Sequence, residues 1–429
     1  MEDSGYRLVS LAGFFLILGL AWVTGKRRKV NLKTVIGCLI LIWGIGGMTF
    51  WVSFTRRILE AVNSVLVAVL TASQKGTVFL FGPLALGPGA TLADGTPSIG
   101  FVLAIQVLPA VIFFSALVSA LYYLGIMQRI VRFFARIFFR TMHLSGAESL
   151  SSAANIFVGI ESSLTVKPWL EKMTRSELLT LMTCMMATVA STVMGVYVIA
   201  LVGVFPQIAG HLVSASVISI PCAVLISKIT WPENEQPETL GSLPDEPHLN
   251  DEEAPQSQNL MVALIQGGEQ GLKMAVGIAT LLIVVLGLEA LADLGLGLFP
   301  PLGGESLSVS TLMGWITWPF TLLLGLRPEE WPLAARIIGS RFVETEVTAY
   351  FSLAAAQAAP AAAFSPRSFT ILTYTLCGFV HLPSLGIFLG GLGALIPNRM
   401  QELSWIGLRA LWTAFLATVL TGCVAGVLA

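Results

Sequence analysis

Apolar runs long enough to cross a bilayer constrain this chain more than any other feature. A spanning helix needs roughly 20 consecutive apolar residues. Such runs lie at about 8–25, 33–53, 100–123, 177–204, 206–229, 271–293, 368–396 and 404–427. In hydrocarbon every backbone N–H and C=O must be satisfied inside the protein, which leaves helices or a closed barrel. Barrel strands read as short segments of alternating polarity, whereas these runs are long and continuous. Only 11% of the residues are charged and 55% are hydrophobic, against about 25% charged in a soluble domain. The predicted fold is therefore an all-α polytopic membrane protein with about eight transmembrane helices. In the first run the basic residues follow the apolar core instead of preceding it, and no small-residue cleavage site is evident. It reads as a retained helix and not a signal peptide.

Other classes fall away quickly. The net charge is −1, so nothing electrostatic points to nucleic acid. The five cysteines (Cys38, Cys184, Cys222, Cys377 and Cys423) sit in apolar runs without metal-ligand spacing and read as free packing residues. No paired aspartates, metal cluster or Ser-His arrangement suggests an enzyme, and no cofactor is expected.

Lysine and arginine in short loops set orientation. Lys26, Arg27, Arg28 and Lys29 follow the first span, so alternation puts both termini outside a cytoplasmic (inner) membrane. Arg129, Arg132, Arg136 and Arg140 then fall on the inner side. Their spacing shares one helical face, and Ile130, Phe133, Phe134, Ile137 and Phe138 occupy much of the remainder, the pattern of an amphipathic helix lying on the inner membrane surface, against lipid. Residues 231–258 are rich in proline and acid and read as a flexible acidic cytoplasmic linker. The expected organisation is 1–140 as N-terminal scaffold helices with the interfacial helix and 141–230 as a first re-entrant hairpin with two spans. The linker follows, then a scaffold helix in 259–300, and a second re-entrant hairpin with the last two spans in 301–429.

Two apolar stretches do not fit a simple span. One, 145–172, is broken by Gly159, Glu161 and Pro168; the other, 307–350, is broken by Gly325, Arg327 and Pro328, with Glu346 near its end. Interrupted apolar segments in corresponding halves point to a transporter binding site. A carboxylate at membrane depth is costly and normally faces a protein-lined interior, which marks Glu346 and Glu161 as polar-site candidates. Structural alternatives are Glu346 pairing with Arg341 or capping a helix, and Glu161 pairing with Lys167. Glu344, two positions from Glu346, faces elsewhere on a helix and is read as the Arg341 partner.

The run Asn155-Ile156-Phe157-Val158-Gly159-Ile160-Glu161 resembles the first hairpin of the concentrative nucleoside transporter family, whose tip reads Gly-Gln-Thr/Ser-Glu. The resemblance covers roughly residues 33–427. Leu108–Leu117 and Tyr122–Gln128 are similar to the family's third span, and Lys172–Leu178 to its exit from the hairpin. Thr345-Glu346-Val347 lies where the family has Asn-Glu-Phe. Cys377-Gly378-Phe379-Val380-His381-Leu382-Pro383-Ser384 lies where it has Cys-Gly-Phe-Ala-Asn-Phe-Ser-Ser. This chain departs at the tip, which is one residue short, so that Ile160 stands for both Gln and Thr/Ser. His381 replaces an asparagine and Pro383 a serine.

The resemblance implies scaffold and transport domains, two re-entrant hairpins, a homotrimer and alternating-access import of a nucleoside. It places the substrate among Gly159, Ile160, Glu161, Val193, Glu346, Phe379, His381 and Ser384, with Glu346 on the ribose hydroxyls. It places a coupling sodium ion at Asn155, Val158, Thr188 and Val189. His381 and the two carboxylates keep proton coupling open. A carrier for a modified nucleoside or other polar molecule, and a sensor that has lost transport, are the competing readings.

Overall fold

The computed structural model describes residues 2–87, 90–92, 95–244, 259–301, 306–359 and 364–429, and these are helical apart from loops and an isolated Thr91–Pro97 bridge. The chain opens with α1 (Glu2–Thr24), α2 (Leu32–Trp51) and α3 (Ser53–Phe81). A short α4 (Leu103–Gln106) leads into α5 (Leu108–Tyr123) and α6 (Ile126–Met142). The first hairpin is α7 (Gly146–Ala154), an open tip, a 3-10 turn (Ile160–Val166) and α8 (Lys167–Leu170). Then come α9 (Arg175–Ala187), α10 (Ser191–Leu201) and α11 (Ile208–Thr230). The second half runs α12 (Leu260–Leu296), α13 (Val309–Leu323), α14 (Trp331–Val343), α15 (Glu346–Ala358), α16 (Pro366–Leu376), α17 (Leu382–Leu395) and α18 (Met400–Leu428).

Eight described stretches are long and apolar enough to cross a membrane, but they are not quite the eight expected. Ser53–Ala85 is among them; Arg56, Arg57, Glu60 and Lys75 interrupt its apolar run and hid it. The expected span at 368–396 is instead α16 and α17, separated by an unwound Cys377–His381. Pro383 cannot continue a helix from upstream. Gly378 also fits where a side chain would not, since a Cβ there would lie 2.9 Å from the Met186 carbonyl oxygen. The expected span at 177–204 is likewise broken, between α9 and α10. Thr188 there is extended, with φ −124° and ψ 168°, and its hydroxyl donates back to the Cys184 carbonyl at 2.8 Å.

The two halves repeat one order of elements: two helices (α5 and α6, α12 and α13), a hairpin, a broken helix and a final helix (α11, α18). Packing follows the same scheme. α6 lies on α7 and α13 on α14; α10 meets α15, and α17 meets the 3-10 turn of the first hairpin. α5 and α12 approach closely through Gly267 and Gly271, where added Cβ atoms would come within 2.5–3.0 Å of Ser119, Ser115 and Ile112; small residues permit such contact between membrane helices. α9, α11 and α18 form the buried centre, whereas α12 is exposed along most of its length.

The arginine-rich segment is helical as expected, but of the apolar residues expected beside the arginines only Phe138 is buried and Phe133 is exposed. Val131, Ala135, Phe138 and Met142 are its buried face, away from Arg129, Arg136 and Arg140. All five cysteines are free and buried. The linker differs from expectation over 231–244, which is docked. The N–H groups of Gly146 and Ala147, orphan donors at the start of α7, donate at 3.0 Å to the Thr239 carbonyl and hydroxyl. Lys172 pairs with Glu238 at 3.0 Å, and Thr174 donates to Glu233 at 2.7 Å. Backbone donors at the start of α7, invisible to composition, help hold this acidic strap. The remainder, 245–258, lies outside the described residues. Beneath the strap Lys228 pairs with Glu148 and donates to Ser176 at 3.0 Å, and Ser145 donates to Glu177 at 2.5 Å.

Candidate substrate and ion site

Glu346 begins α15, behind a Thr345 N-cap. A helix N-terminus favours an anion, so the local structure stabilises a carboxylate that is only 3% exposed. Two side chains converge on it. The Tyr197 hydroxyl, from α10, donates to Oε1 at 2.6 Å, and His381 Nε2 lies 2.6 Å from Oε2. His381 is also the N-cap of α17: its Nδ1 accepts the Ser384 N–H at 3.1 Å. A nitrogen that accepts carries no proton, so the proton sits on Nε2. The imidazole is therefore neutral and turns its Nε2 toward Glu346 at close range without hydrogen-bond geometry, so Oε2 keeps its acceptor capacity free and no countercharge faces it in this contact.

The surroundings hold these groups still. Tyr350 stacks on Tyr197 with centroids 4.7 Å apart and donates to the Thr373 carbonyl at 2.9 Å. Ser384 donates to the carbonyls of Phe379 (2.5 Å) and His381 (2.7 Å), fixing the unwound Cys377–His381 segment. Val193 is buried one helical turn before Tyr197, on the same face of α10. The structure thus gathers Glu346, His381, Ser384 and Phe379 at one point, with Val193 beside them. Tyr197 is the member that sequence reasoning missed. A buried tyrosine hydroxyl in an apolar helix needs a partner, and that was its one signal.

The first hairpin meets the start of α10. Phe157 at its tip accepts from the Ser191 N–H (2.9 Å) and hydroxyl (2.6 Å). This contact places the Asn155–Val158 segment against the Thr188–Val189 break. All four of those residues are buried. Asn155 Oδ1 accepts from Ser162 at 2.9 Å, while its Nδ2 has no partner among the described residues. Glu161 does not reach Glu346. One oxygen accepts the Gly159 N–H at 3.1 Å and the other the Gln270 amide of α12 at 3.3 Å. The side chain of Ile160 lies outside the described residues. Arg341 does not pair with Glu344 as expected: its guanidinium is fully buried and donates to the Thr375 carbonyl (2.6 Å) and the Thr418 hydroxyl (3.1 Å). Glu344 lies just past the end of α14, off the helical register that would join the two.

This pairing of two broken helices with two hairpins, around one buried carboxylate, has counterparts among known proteins. Residues 211–426 match the family description "Na+ dependent nucleoside transporter C-terminus", 12–84 its N-terminus, and 104–205 "Nucleoside recognition". The chain belongs to the concentrative nucleoside transporter family. It is 32% identical over 424 residues to the nucleoside permease NupC of Helicobacter pylori, covering 98% of this chain and 97% of that one. It is also 32% identical over 442 residues to sodium/nucleoside cotransporter 1 of Rattus norvegicus, covering 98% of this chain and 64% of that one. Among solved structures, CNTnw in an inward-facing substrate-bound state matches with a TM-score of 0.86 at 29% identity, over 99% of this chain and 98% of that one. The fold expected from sequence, a multi-helix membrane transporter with scaffold and transport domains, is the fold of this family. As a concentrative nucleoside transporter the chain is a membrane protein, and its relatives are carriers and not enzymes.

Proposed function

We propose that this protein is a sodium-coupled symporter that imports nucleosides across the cytoplasmic membrane by alternating access. The observation that carries the reading is the buried Glu346 carboxylate, held by Tyr197 and His381. Each carboxylate oxygen accepts more than one hydrogen bond, so both keep an acceptor position for the vicinal diol of a ribose. Phe379 and Val193 supply apolar walls, and Ser384 and Glu161 complete the polar set. Gly159 and Ile160 form the tip beside the base.

The ion is assigned to Asn155, Val158, Thr188 and Val189. Sodium takes oxygen ligands, and this site offers a side-chain amide, a hydroxyl and the carbonyls of unwound backbone. The orphaned Asn155 Nδ2 supports it. Turning the amide over lets Nδ2 donate to Ser162 and frees Oδ1 for a cation, and amide orientation is fixed only by its network. Neutral His381, whose Nδ1 already accepts the Ser384 N–H, favours sodium over protons as the coupling ion. The moving unit comprises both hairpins with α9, α10, α16 and α17, working against a scaffold that includes α5 and α12, in a homotrimer. The exposed length of α12 suits lipid and neighbouring subunits.

Both termini lie outside. Lys26–Lys29 and the arginines of α6 share the cytoplasmic side only if an even number of crossings separates them. α2 and α5 supply two, so α3 runs along the outer face.

The test is uptake of a labelled nucleoside into proteoliposomes with and without an inward sodium gradient. Accumulation only with the gradient is expected. Uptake that ignores sodium and follows a pH gradient refutes the ion assignment, and binding without uptake refutes transport.

A further inference from the structure

Arg341 is a charged side chain with no exposed surface. Its donors go to neutral acceptors, the Thr375 carbonyl and the Thr418 hydroxyl, and its Nε has no hydrogen-bond partner among the described residues. A buried guanidinium without a carboxylate partner is expensive and needs a physical reason.

The repeat supplies one. Asn155 lies six positions before Glu161, on the outgoing arm of the first hairpin, and Arg341 lies five before Glu346, on the outgoing arm of the second. Each arm reaches the end of the broken helix in its own half. Phe157, two residues after Asn155, meets Ser191 at the α9–α10 break, and Arg341 bonds Thr375 in the last turn of α16. The two helix ends also touch, because Gly378 packs on the Met186–Ala187 backbone and on Thr418. The C-terminus of a helix carries unsatisfied carbonyls and a partial negative charge, which at membrane depth require a donor or a cation. At α9 the chain offers neutral groups alone, the Asn155 amide, nearby carbonyls and the Thr188 hydroxyl, which donates to the Cys184 carbonyl. At α16 it offers a guanidinium.

We propose that Arg341 is a resident cation that does for the second half of the transporter what the coupling sodium ion does for the first; this rests on the sodium reading above. Arg341 is then a positioning residue. It caps α16, holds the second hairpin against α16 and α18, and sets a fixed positive charge in the unit that carries the ionised Glu346. It also fills the second cation position permanently, so one sodium ion accompanies each nucleoside.

The experiment compares Arg341→Lys, Arg341→Met and Arg341→Ala in proteoliposomes, each first checked for monodispersity and thermal melting. Lysine should retain a substantial part of wild-type uptake, while methionine, of similar size, should lose more than about tenfold. Uptake by Arg341→Ala should be recovered several-fold by millimolar guanidinium on both sides of the membrane, but not by urea, its neutral isostere. Wild-type protein controls for direct effects of either additive. Sodium activation of the wild type should follow a single-site curve. Equal uptake by the lysine and methionine variants, or equal rescue by urea and guanidinium, overturns the proposal. If Arg341→Ala does not fold, the lysine–methionine pair decides alone. Wild-type uptake indifferent to sodium would strike the ion-site reading and leave that pair to decide whether Arg341 acts through its charge.

Discussion

Replacing Glu346 by glutamine tests the substrate site most directly, because the structure says what should survive. Glu346 accepts from Tyr197 at 2.6 Å, and His381 Nε2 lies 2.6 Å from its other oxygen. His381 can only donate through Nε2, since its Nδ1 is occupied by the Ser384 N–H. A glutamine must therefore turn its oxygen to His381 and its NH2 to Tyr197, whose hydroxyl can rotate to accept. Both local contacts persist in neutral form, and a buried charge is removed. The protein should fold and melt close to wild type.

The substrate fares differently. On the Tyr197 side the acceptor that a ribose hydroxyl would use is now an amide donor, and the charge that strengthened the remaining bond is gone. A hydrogen bond to a charged group contributes about 1.5–3 kcal/mol, so nucleoside affinity should fall about 10- to 140-fold. Equilibrium binding to purified protein measures this, with a 2′,3′-dideoxynucleoside as the control ligand. The control should bind weakly to the wild type and lose little more on mutation, because it has no diol to lose. Nucleoside binding within about twofold of wild type, or an equal loss for the dideoxy compound, would refute the assignment of Glu346 to the sugar.

Tyr197→Phe leaves Oε1 of Glu346 without its protein donor in a site closed to water, and should lower stability by about 1–3 kcal/mol. Thermal melting should show that loss shrinking when Tyr197→Phe is combined with Glu346→Gln, since the two residues act on one contact. Asn155→Ala and Thr188→Ala should each raise the sodium concentration for half-maximal uptake, measured at constant ionic strength; an unchanged sodium curve in both removes them from the ion site. With Ile160 in place of hydrogen-bonding residues at the hairpin tip, purine and pyrimidine nucleosides should compete on more equal terms for uptake. An apolar wall separates ligands by size, at about 1–3 kcal/mol per methylene. A sharp preference for one base that survives Glu161→Gln would place base recognition elsewhere.

Which of these features could be read from the chain depends on where their causes lie. Most spans were legible because continuous apolar length is a local property and the bilayer reads it directly. The long helix α3, which lies along the outer face in the topology proposed above, was missed as an element because Arg56, Arg57, Glu60 and Lys75 dilute its apolar run. The break between α16 and α17 left a trace in Gly378 and Pro383, but the break at Thr188 left none. Threonine and valine sit readily in helices, and the cause is the hairpin carbonyl of Phe157, which draws Ser191 away. Glu346 announced itself because a carboxylate at membrane depth has few bland explanations. Its partner Tyr197 did not, being 149 positions away in the chain and unremarkable in an apolar helix.

Arg341 shows how a sequence reading goes wrong. Glu344 was the nearest carboxylate and looked like its partner, yet α14 ends at Val343, and the guanidinium instead reaches Thr375 and Thr418. Proximity in sequence was the wrong guide because the acceptor it serves, a free carbonyl near a helix end, exists only once α16 has been broken. The same logic covers the candidate ion site and the N-capping His381. Unwound backbone is tolerated at membrane depth only where something answers its exposed N–H and C=O groups. In a chain that breaks its helices twice in register, the residues placed to answer are the ones positioned to hold an ion, a proton donor or a sugar. The breaks that sequence reasoning located least well are therefore the places where the proposed ion and substrate sites lie.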